Sequence, residues 1–369
     1  MTAPGQEPGA PPEGGGVRDD ELPLATVVIP MRNEAGSIAR CLAAVQSQDY
    51  PRDRLEVFIV DGASRDGSRA IVERTVGGDA RFKRLENPGG LVPVALNLGL
   101  AAARGEVFLR IDAHTIVEPD YVRRCVELLR ASGAENVGGP LLPVGATTLG
   151  DGIAAAMRCR FGVGPARFRY ARAVEEVDTV YLGAFPRALF ERIGGFSEAM
   201  VRNQDYEMNY RIRRAGGRIL VDPAIRSTYL VRPDLPSLWR QFASYGYWKA
   251  QMLRRYPRSL RLRQVAAPGL VAALFGTLLA SLAGITGMAG ESGSAGTWLP
   301  EGARWFFPAL VALYLAASLG FAAAIGLRRG LRVAIALPAI FATMHLAWGG
   351  GFWIGVLLPL RAGRRGGRS

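Results

Sequence analysis

The sequence predicts an α/β protein, a doubly wound and mostly parallel sheet followed by C-terminal transmembrane helices. Three observations predict it. Apolar, β-branched runs of strand length alternate with helical segments between residues 25 and 112. Polar residues gather at the ends of those runs. From Val265 onward the chain turns mostly apolar, in blocks long enough to cross a bilayer.

Residues 1–23 are Gly, Pro, Glu and Asp with almost nothing to bury, and read as a disordered tail lacking the apolar core of a signal peptide. Ala25-Thr26-Val27-Val28-Ile29-Pro30 is a continuous apolar run, as expected of a parallel strand covered on both faces. A helix is expected from Ala35 to about Gln46, a second strand over Leu55–Val60 and a second helix over Asp66–Thr75. The third strand covers about Arg81–Glu86, the third helix Val92–Arg104, and the fourth strand Glu106–Asp112. No G-x-G-x-x-G follows the first strand, which argues against a dinucleotide dehydrogenase. The α/β domain is expected over residues 24–232.

The fourth strand runs into Arg110-Ile111-Asp112-Ala113-His114. In a strand, residues i and i+2 face the same side, so Asp112 and His114 can converge beyond the sheet edge. A carboxylate with an imidazole suits a divalent cation of the Mg or Mn kind, and the imidazole favours Mn. Taken alone, such a pair is a weak signal and reads more readily as solvated loop residues. Two more strand ends are polar, Arg32-Asn33-Glu34 and Asp61-Gly62-Ala63-Ser64-Arg65-Asp66-Gly67-Ser68. Asp66 and Ser68 would also serve as simple helix caps. Three polar ends on one sheet edge describe a nucleotide pocket. Asp61 would hydrogen-bond a base or ribose there, and Asp112 with His114 would hold the metal against a diphosphate.

The stretches Val27–Glu34, Val60–Ser68 and Asp112-Ala113-His114 resemble the donor-binding motifs of family 2 glycosyltransferases, in the family's order. Asn203-Gln204-Asp205-Tyr206-Glu207-Met208-Asn209-Tyr210-Arg211 resembles that family's acidic acceptor-side motif. The His in place of a second Asp, with the C-terminal spans, looks most like the succinoglycan-type branch. The resemblance implies a GT-A fold, a nucleotide-sugar donor held by Pro30, Arg32, Glu34, Asp61 and Asp112, a divalent metal (Mn or Mg) on Asp112 and His114, and inversion at the anomeric carbon. It also implies UDP-glucose as donor and Asp205 as catalytic base, with Glu207 as the fallback. Transfer needs a stabilised diphosphate leaving group and a deprotonated acceptor hydroxyl, which a metal and a carboxylate supply. The dyad here reads Gln204-Asp205 where the family usually has Glu-Asp. The Gln-x-x-Arg-Trp motif of processive synthases is missing from Arg240–Lys249, so single-sugar addition is expected.

Three apolar blocks, about 265–287, 305–327 and 331–360, are expected to span the membrane. The third contains Pro338, His345 and Gly349-Gly350-Gly351, so it reads as broken or re-entrant as readily as straight. Arg240, Lys249, Arg254, Arg255, Arg258, Arg261 and Arg263 precede the first block, and Arg328, Arg329 and Arg332 flank the second connection. The positive-inside rule then puts the catalytic domain on the cytoplasmic face of the inner (plasma) membrane. The basic tail, residues 361–369, would prefer the same side, which three simple spans would not allow. Residues 233–264, with Leu238, Trp239, Phe242, Tyr245 and Met252 among cations, read as an amphipathic interfacial segment or as a domain-packing helix.

A net charge of +13 fits anionic headgroups. No helix-turn-helix, zinc-finger or aromatic RNA-binding signature accompanies it, so nucleic acid is not an expected partner. Cys41, Cys125 and Cys159 are odd in number and scattered, consistent with a reducing cytosol. The leading expectation is a membrane-anchored, metal-dependent inverting transferase extending a polyprenyl-linked oligosaccharide in exopolysaccharide or envelope glycan synthesis. Transfer directly to polyprenyl phosphate, and a nucleotide-sugar-binding scaffold without turnover, are the alternatives.

Overall fold

The computed structural model describes residues 18–287 and 301–358; the basic tail 361–369 and most of the expected N-terminal tail lie outside them. The expected tail runs too far. Asp19–Glu21 form a 3-10 turn, Leu22 is fully buried in the apolar cluster with Val27 and Leu42, and Arg123 pairs with Asp19 at 2.7 Å.

The chain alternates strands and helices in order: β1 (Ala25–Met31), α1 (Ile38–Gln46), β2 (Leu55–Asp61), α2 (Ser68–Val76), β3 (Phe82–Glu86), α3 (Val92–Ala102) and β4 (Val107–Arg110). After β5 (Thr115–Val117) come α4 (Tyr121–Ser132), β6 (Asn136–Gly139), β7 (Leu141–Val144), α5 (Thr148–Met157) and α6 (Arg160–Val163). Then follow β8 (Glu175–Glu176), β9 (Tyr181–Pro186), α7 (Arg187–Ile193), α8 (Gln204–Arg214), β10 (Ile219–Val221), β11 (Ser227–Leu230) and α9 (Leu235–Arg255).

The main sheet has the order β3-β2-β1-β4-β9-β6-β10-β8, and only β8 and β9 run against the rest. A smaller sheet, β5-β11-β7, lies apart from it. Alternation along β1 and β2 divides the core. Val28, Phe58 and Val60 face a cluster with Leu96, Phe108, Phe185 and Phe190, while Val27, Ile29, Val57 and Ile59 face Leu42, Val45, Val72 and Val122. Burial of side chains this size is worth roughly 1.5–3 kcal/mol each. Because the parallel strands share one direction, their carboxyl ends line a single edge.

Strand β4 stops at Arg110, earlier than the sequence suggests. Asp112 and His114 therefore sit in a turn, closed by Thr115 N–H to the Asp112 carbonyl at 2.8 Å, and strand alternation is not what brings them together.

Among the described residues, three helices are long and apolar enough to cross a membrane: α10 (Ala266–Gly287), α11 (Phe306–Arg329) and α12 (Leu331–Leu357). α12 is one unbroken helix through Pro338 and the triple glycine. The glycines serve packing instead. A Cβ on Gly351 or Gly355 would meet the α9 backbone at Ala243 or Tyr247, and one on Gly246 of α9 would meet Trp348 of α12. Val333, Leu337, Ile340, Phe341, Met344 and Ala347 recur at helical spacing on the buried face of α12 and join the core of the catalytic domain.

Helix α9 is a packing helix. Leu238, Phe242, Gly246, Lys249, Ala250 and Met252 are buried, and Trp239 is its one strongly exposed large apolar side chain, so there is no continuous lipid-facing stripe. His345 stays within an intact helix: Nε2 meets the carbonyl of Phe161 in α6 at 2.8 Å and Nδ1 meets the Tyr314 hydroxyl at 2.9 Å. The ring thus ties α11 and α12 to the catalytic domain.

Candidate active site

The loops after β1 and β2 are stitched together by hydrogen bonds within the protein. Asn33 N–H donates to Ser64 Oγ (3.0 Å), Arg65 N–H to Asn33 Oδ1 (2.9 Å), Glu34 N–H to Ser68 Oγ (2.8 Å) and Ala35 N–H to Asp66 Oδ2 (2.9 Å). Asp66 and Ser68 thus join two loops as well as starting α2. Among the described residues, the four non-glycine positions with left-handed φ are Asn33, Ala63, Leu182 and Asn203. They follow β1, follow β2, begin β9 beside the end of β4, and cap α8. Such backbone is costly and collects where surroundings hold a site rigid.

Asp61 is fully buried. Its Oδ1 accepts from Ser64 N–H at 3.1 Å and its Oδ2 is paired with Arg69. In this structure it holds the second loop, which differs from the direct base or ribose contact expected of it. Pro30 is buried in β1, while Arg32 is exposed and lays its guanidinium over Gly90. Gly62 and Gly90 approach each other closely there: a Cβ on Gly62 would come within 3.0 Å of the Gly90 Cα.

At the end of β4, Arg110 forks across Asp112, with Nε 2.8 Å from Oδ1 and Nη2 3.2 Å from Oδ2. Burial opposes the Arg110 charge, but the carboxylates of Asp112 and Asp205 more than offset it. Burial likewise pushes against ionisation of Asp112, and Arg110 and His114 hold its carboxyl below the ordinary range. Arg110 Nη1 is a buried donor with no protein partner. His114 Nδ1 lies 3.1 Å from Glu34 Oε1, and Ser37 donates to the other oxygen at 2.8 Å. Burial works against the Glu34 charge, while His114, Ser37 and Arg232 bring its carboxyl net below the usual range. An anionic Glu34 makes Nδ1 the protonated nitrogen and leaves Nε2 as the lone-pair atom.

Among the described residues no three His, Cys, Asp or Glu side chains form a ready metal cluster. Two donors, Asp112 and His114 Nε2, fit a cation that completes its shell with phosphate and water oxygens. The imidazole, oriented by a carboxylate, is the arrangement that metal-binding histidines use.

Helix α8 brings the acidic motif to the same edge. Asn203 caps it with a left-handed backbone and donates to the Tyr245 carbonyl of α9 at 3.2 Å. Asp205, partly exposed in the first turn, is the carboxylate beside Arg110. Glu207, expected as the alternative base, is fully buried. Arg211 grips both its oxygens, at 2.9 and 3.0 Å, and the Tyr256 hydroxyl donates to Oε1 at 2.9 Å. With every oxygen committed and no exposure, Glu207 positions α8 against the end of α9 and is not available as a base.

Several participants escaped the sequence reading. The His114 ring meets the edge of Tyr229 at 5.5 Å, Tyr229 stands 6.0 Å from Tyr181, and Tyr181 shares a 2.7 Å hydrogen bond with Thr115. Gln241 donates to the hydroxyls of Tyr229 (2.7 Å) and Tyr245 (2.9 Å), joining this aromatic wall to α9. Arg169 lies near the same tyrosines with one buried Nη1 unpartnered, and burial lowers its pKa. Lys249, grouped by sequence with the membrane-flanking cations, is 2% exposed. Its ammonium sits 4.2 Å over the Tyr206 ring and donates to the Ser259 carbonyl at 3.0 Å.

Comparison with known proteins agrees with this geometry. The family described as Glycosyl transferase family 2 matches residues 26–191. Succinoglycan biosynthesis protein ExoA of Rhizobium meliloti (strain 1021) is 29% identical over 340 residues, covering 90% of this chain and 96% of that protein. A dolichyl N-acetyl-alpha-D-glucosaminyl phosphate 3-beta-D-2,3-diacetamido-2,3-dideoxy-beta-D-glucuronosyltransferase of Methanococcus voltae is 26% identical, covering 62% of this chain and 74% of that one. Among solved structures, mannosyltransferase PcManGT from Pyrobaculum calidifontis, in complex with GDP-Man and Mn2+, superposes with a TM-score of 0.56 at 22% identity, covering 93% of this chain and 89% of that one. The fold is GT-A.

Proposed function

Residues 26–191 are a family 2 glycosyltransferase domain, and from that premise we propose that this glycosyltransferase adds one sugar, with inversion, from a nucleoside-diphosphate donor to a lipid-linked glycan at the cytoplasmic face of a membrane. Its setting is polysaccharide or cell-envelope glycan synthesis, in keeping with the succinoglycan and dolichyl-linked roles named for its relatives. UDP-glucose is the donor we assign. The observation that carries the reading is Arg110, set between Asp112 and Asp205 with a free buried N–H beside the Glu34-oriented His114.

Asp112 and His114 would hold a divalent cation, which when bound supplies Lewis-acid neutralisation of the diphosphate. Arg110 offers Nη1 to a phosphate oxygen and keeps Asp112 anionic. Glu34 and Tyr229 fix the imidazole, and Asn33, Ser64 and Ser68 hold the loops that frame the nucleotide. Asp205 takes the proton from the acceptor hydroxyl as its oxygen attacks the anomeric carbon. The bond from that carbon to the diphosphate breaks on the opposite side, so the configuration inverts.

The arginines support the cytoplasmic placement: Arg329, at the connection between α11 and α12, lines a cavity with Arg158 and Asp151, in keeping with a connection rich in cations on the same side as the α/β domain. The test is to incubate the full chain with Mn2+, a panel of UDP- and GDP-sugars and a membrane lipid extract, and follow labelled sugar into lipid. Donor binding with no transfer or hydrolysis for any sugar would reject the reading in favour of a scaffold.

A further inference from the structure

A concavity of about 340 Å³ opens between the end of α8 and the segment leading into α10, lined by Tyr210, Arg214, Arg255, Tyr256, Pro257 and Arg258. It presents three guanidinium groups and no carboxylate. Nearby cations are neutralised: Arg211 by Glu207 at 2.9 Å and Arg263 by Asp178 at 2.5 Å. Among the described residues, none of the three pocket arginines has an ion-pair partner. The Tyr210 and Tyr256 rings stand 5.0 Å apart, and Arg255 lies 5.8 Å over the Tyr256 ring.

Three like charges around one hollow repel each other unless an anion sits among them. Guanidinium forks match phosphate oxygens, and tyrosines favour the headgroup level of a bilayer. The pocket also lies just ahead of Ala266, where the first candidate membrane helix begins. It is separate from the transfer site: Asp205 and Arg214 are at opposite ends of α8, about 13 Å apart at the helical rise. We propose that this pocket binds the phosphate of an anionic lipid headgroup at the membrane surface. Phospholipids and isoprenyl diphosphate carriers share that chemistry. The assignment needs the membrane reading of α10 but not the identity of the sugar donor.

The test uses the delipidated full chain in neutral detergent, offered phosphatidylcholine, phosphatidylglycerol or a polyprenyl diphosphate, with bound lipid counted by native mass spectrometry. Wild type is expected to retain one of the two anionic lipids on the order of tenfold over phosphatidylcholine, and which one identifies the source. The triple variant Arg214→Gln, Arg255→Gln, Arg258→Gln should lose that preference, while the matching triple Lys variant keeps part of it. Should the triple Gln variant fail to fold by circular dichroism, the single Arg258→Gln, at an exposed position, should still weaken the preference. Equal retention of all three lipids by wild type, or an undiminished preference in a folded Gln variant, overturns the proposal.

Discussion

Arg110 reaches both oxygens of Asp112, at 2.8 and 3.2 Å, so the carboxylate expected to hold a metal is already ion-paired with the last residue of β4. A cation arriving with the donor must share Asp112 with that guanidinium. Asp112→Ala is expected to cut turnover on the order of 10²-fold or more. His114→Asp should stay active, because it keeps an oxygen donor beside Asp112. Sugar transfer measured with and without chelator checks the assignment, and equal rates would end it.

Asp205 and Glu207 make opposite predictions although they share one turn. Asp205→Asn removes the charge and little else, so donor binding should survive while transfer falls roughly 10²–10⁴-fold. Glu207→Gln should act on stability, lowering it by about 3 kcal/mol, since Arg211 loses its buried counter-charge. Thermal melts beside donor-binding titrations separate the two. Normal stability with abolished transfer in Glu207→Gln would return the base role to Glu207.

Lys249 gives a pH signature. Burial, with Arg263 next in weight, brings its pKa down to about 7. Between that value and the ordinary lysine range near 10.5 the unfolded chain holds a proton that the folded chain lacks, so this site's contribution to stability rises with pH across that window. Below about pH 7 its cost is fully present. Lys249→Met should therefore stabilise the protein at neutral pH, by about 1–4 kcal/mol, and the gain should shrink toward pH 10. A pH-independent difference between the two melts would contradict the assignment.

Much of this was legible in the residues. Alternating apolar runs announced the parallel half of the sheet, and polar strand ends announced the edge where Glu34, Asp112 and His114 meet. The rest depended on contacts between distant segments. Nothing local marks β9 as the antiparallel strand between β4 and β6, because strand partners are chosen by tertiary packing. Glu207 and Asp205 look alike in sequence; only Arg211 and Tyr256 tell them apart. Lys249 reads as a surface cation until Tyr206 and Ser259 close over it. The triple glycine suggested a broken helix because its partner, the small-residue face of α9, was invisible.

That seam yields a prediction. Gly351→Val would drive a side chain into the Ala243 main chain, and overpacking of this kind costs about 1–3 kcal/mol. Limited proteolysis should then cut between α9 and α10 faster than in wild type, whereas Gly350→Ala, which meets nothing, should behave as wild type.

Truncation after Tyr256 bears on the same seam. It would strip α12 from Ile153, Phe161 and Phe242, leaving apolar surface that belongs to the catalytic core. The shortened chain is expected to aggregate or to bind donor weakly unless detergent covers that face. A monodisperse, fully donor-competent fragment in plain buffer would show the two halves to be independent.

Where two helices touch main chain to main chain, ancestry is shared as well as space. A bulky residue admitted on α9 at Gly246 would meet the α12 main chain at Trp348 and Phe352, so it could be answered only by a shift of the whole helix. The anchor is therefore not an exchangeable cassette. A chimera that takes its last helix from another transferase should function only if it inherits the facing turn of α9 from the same parent.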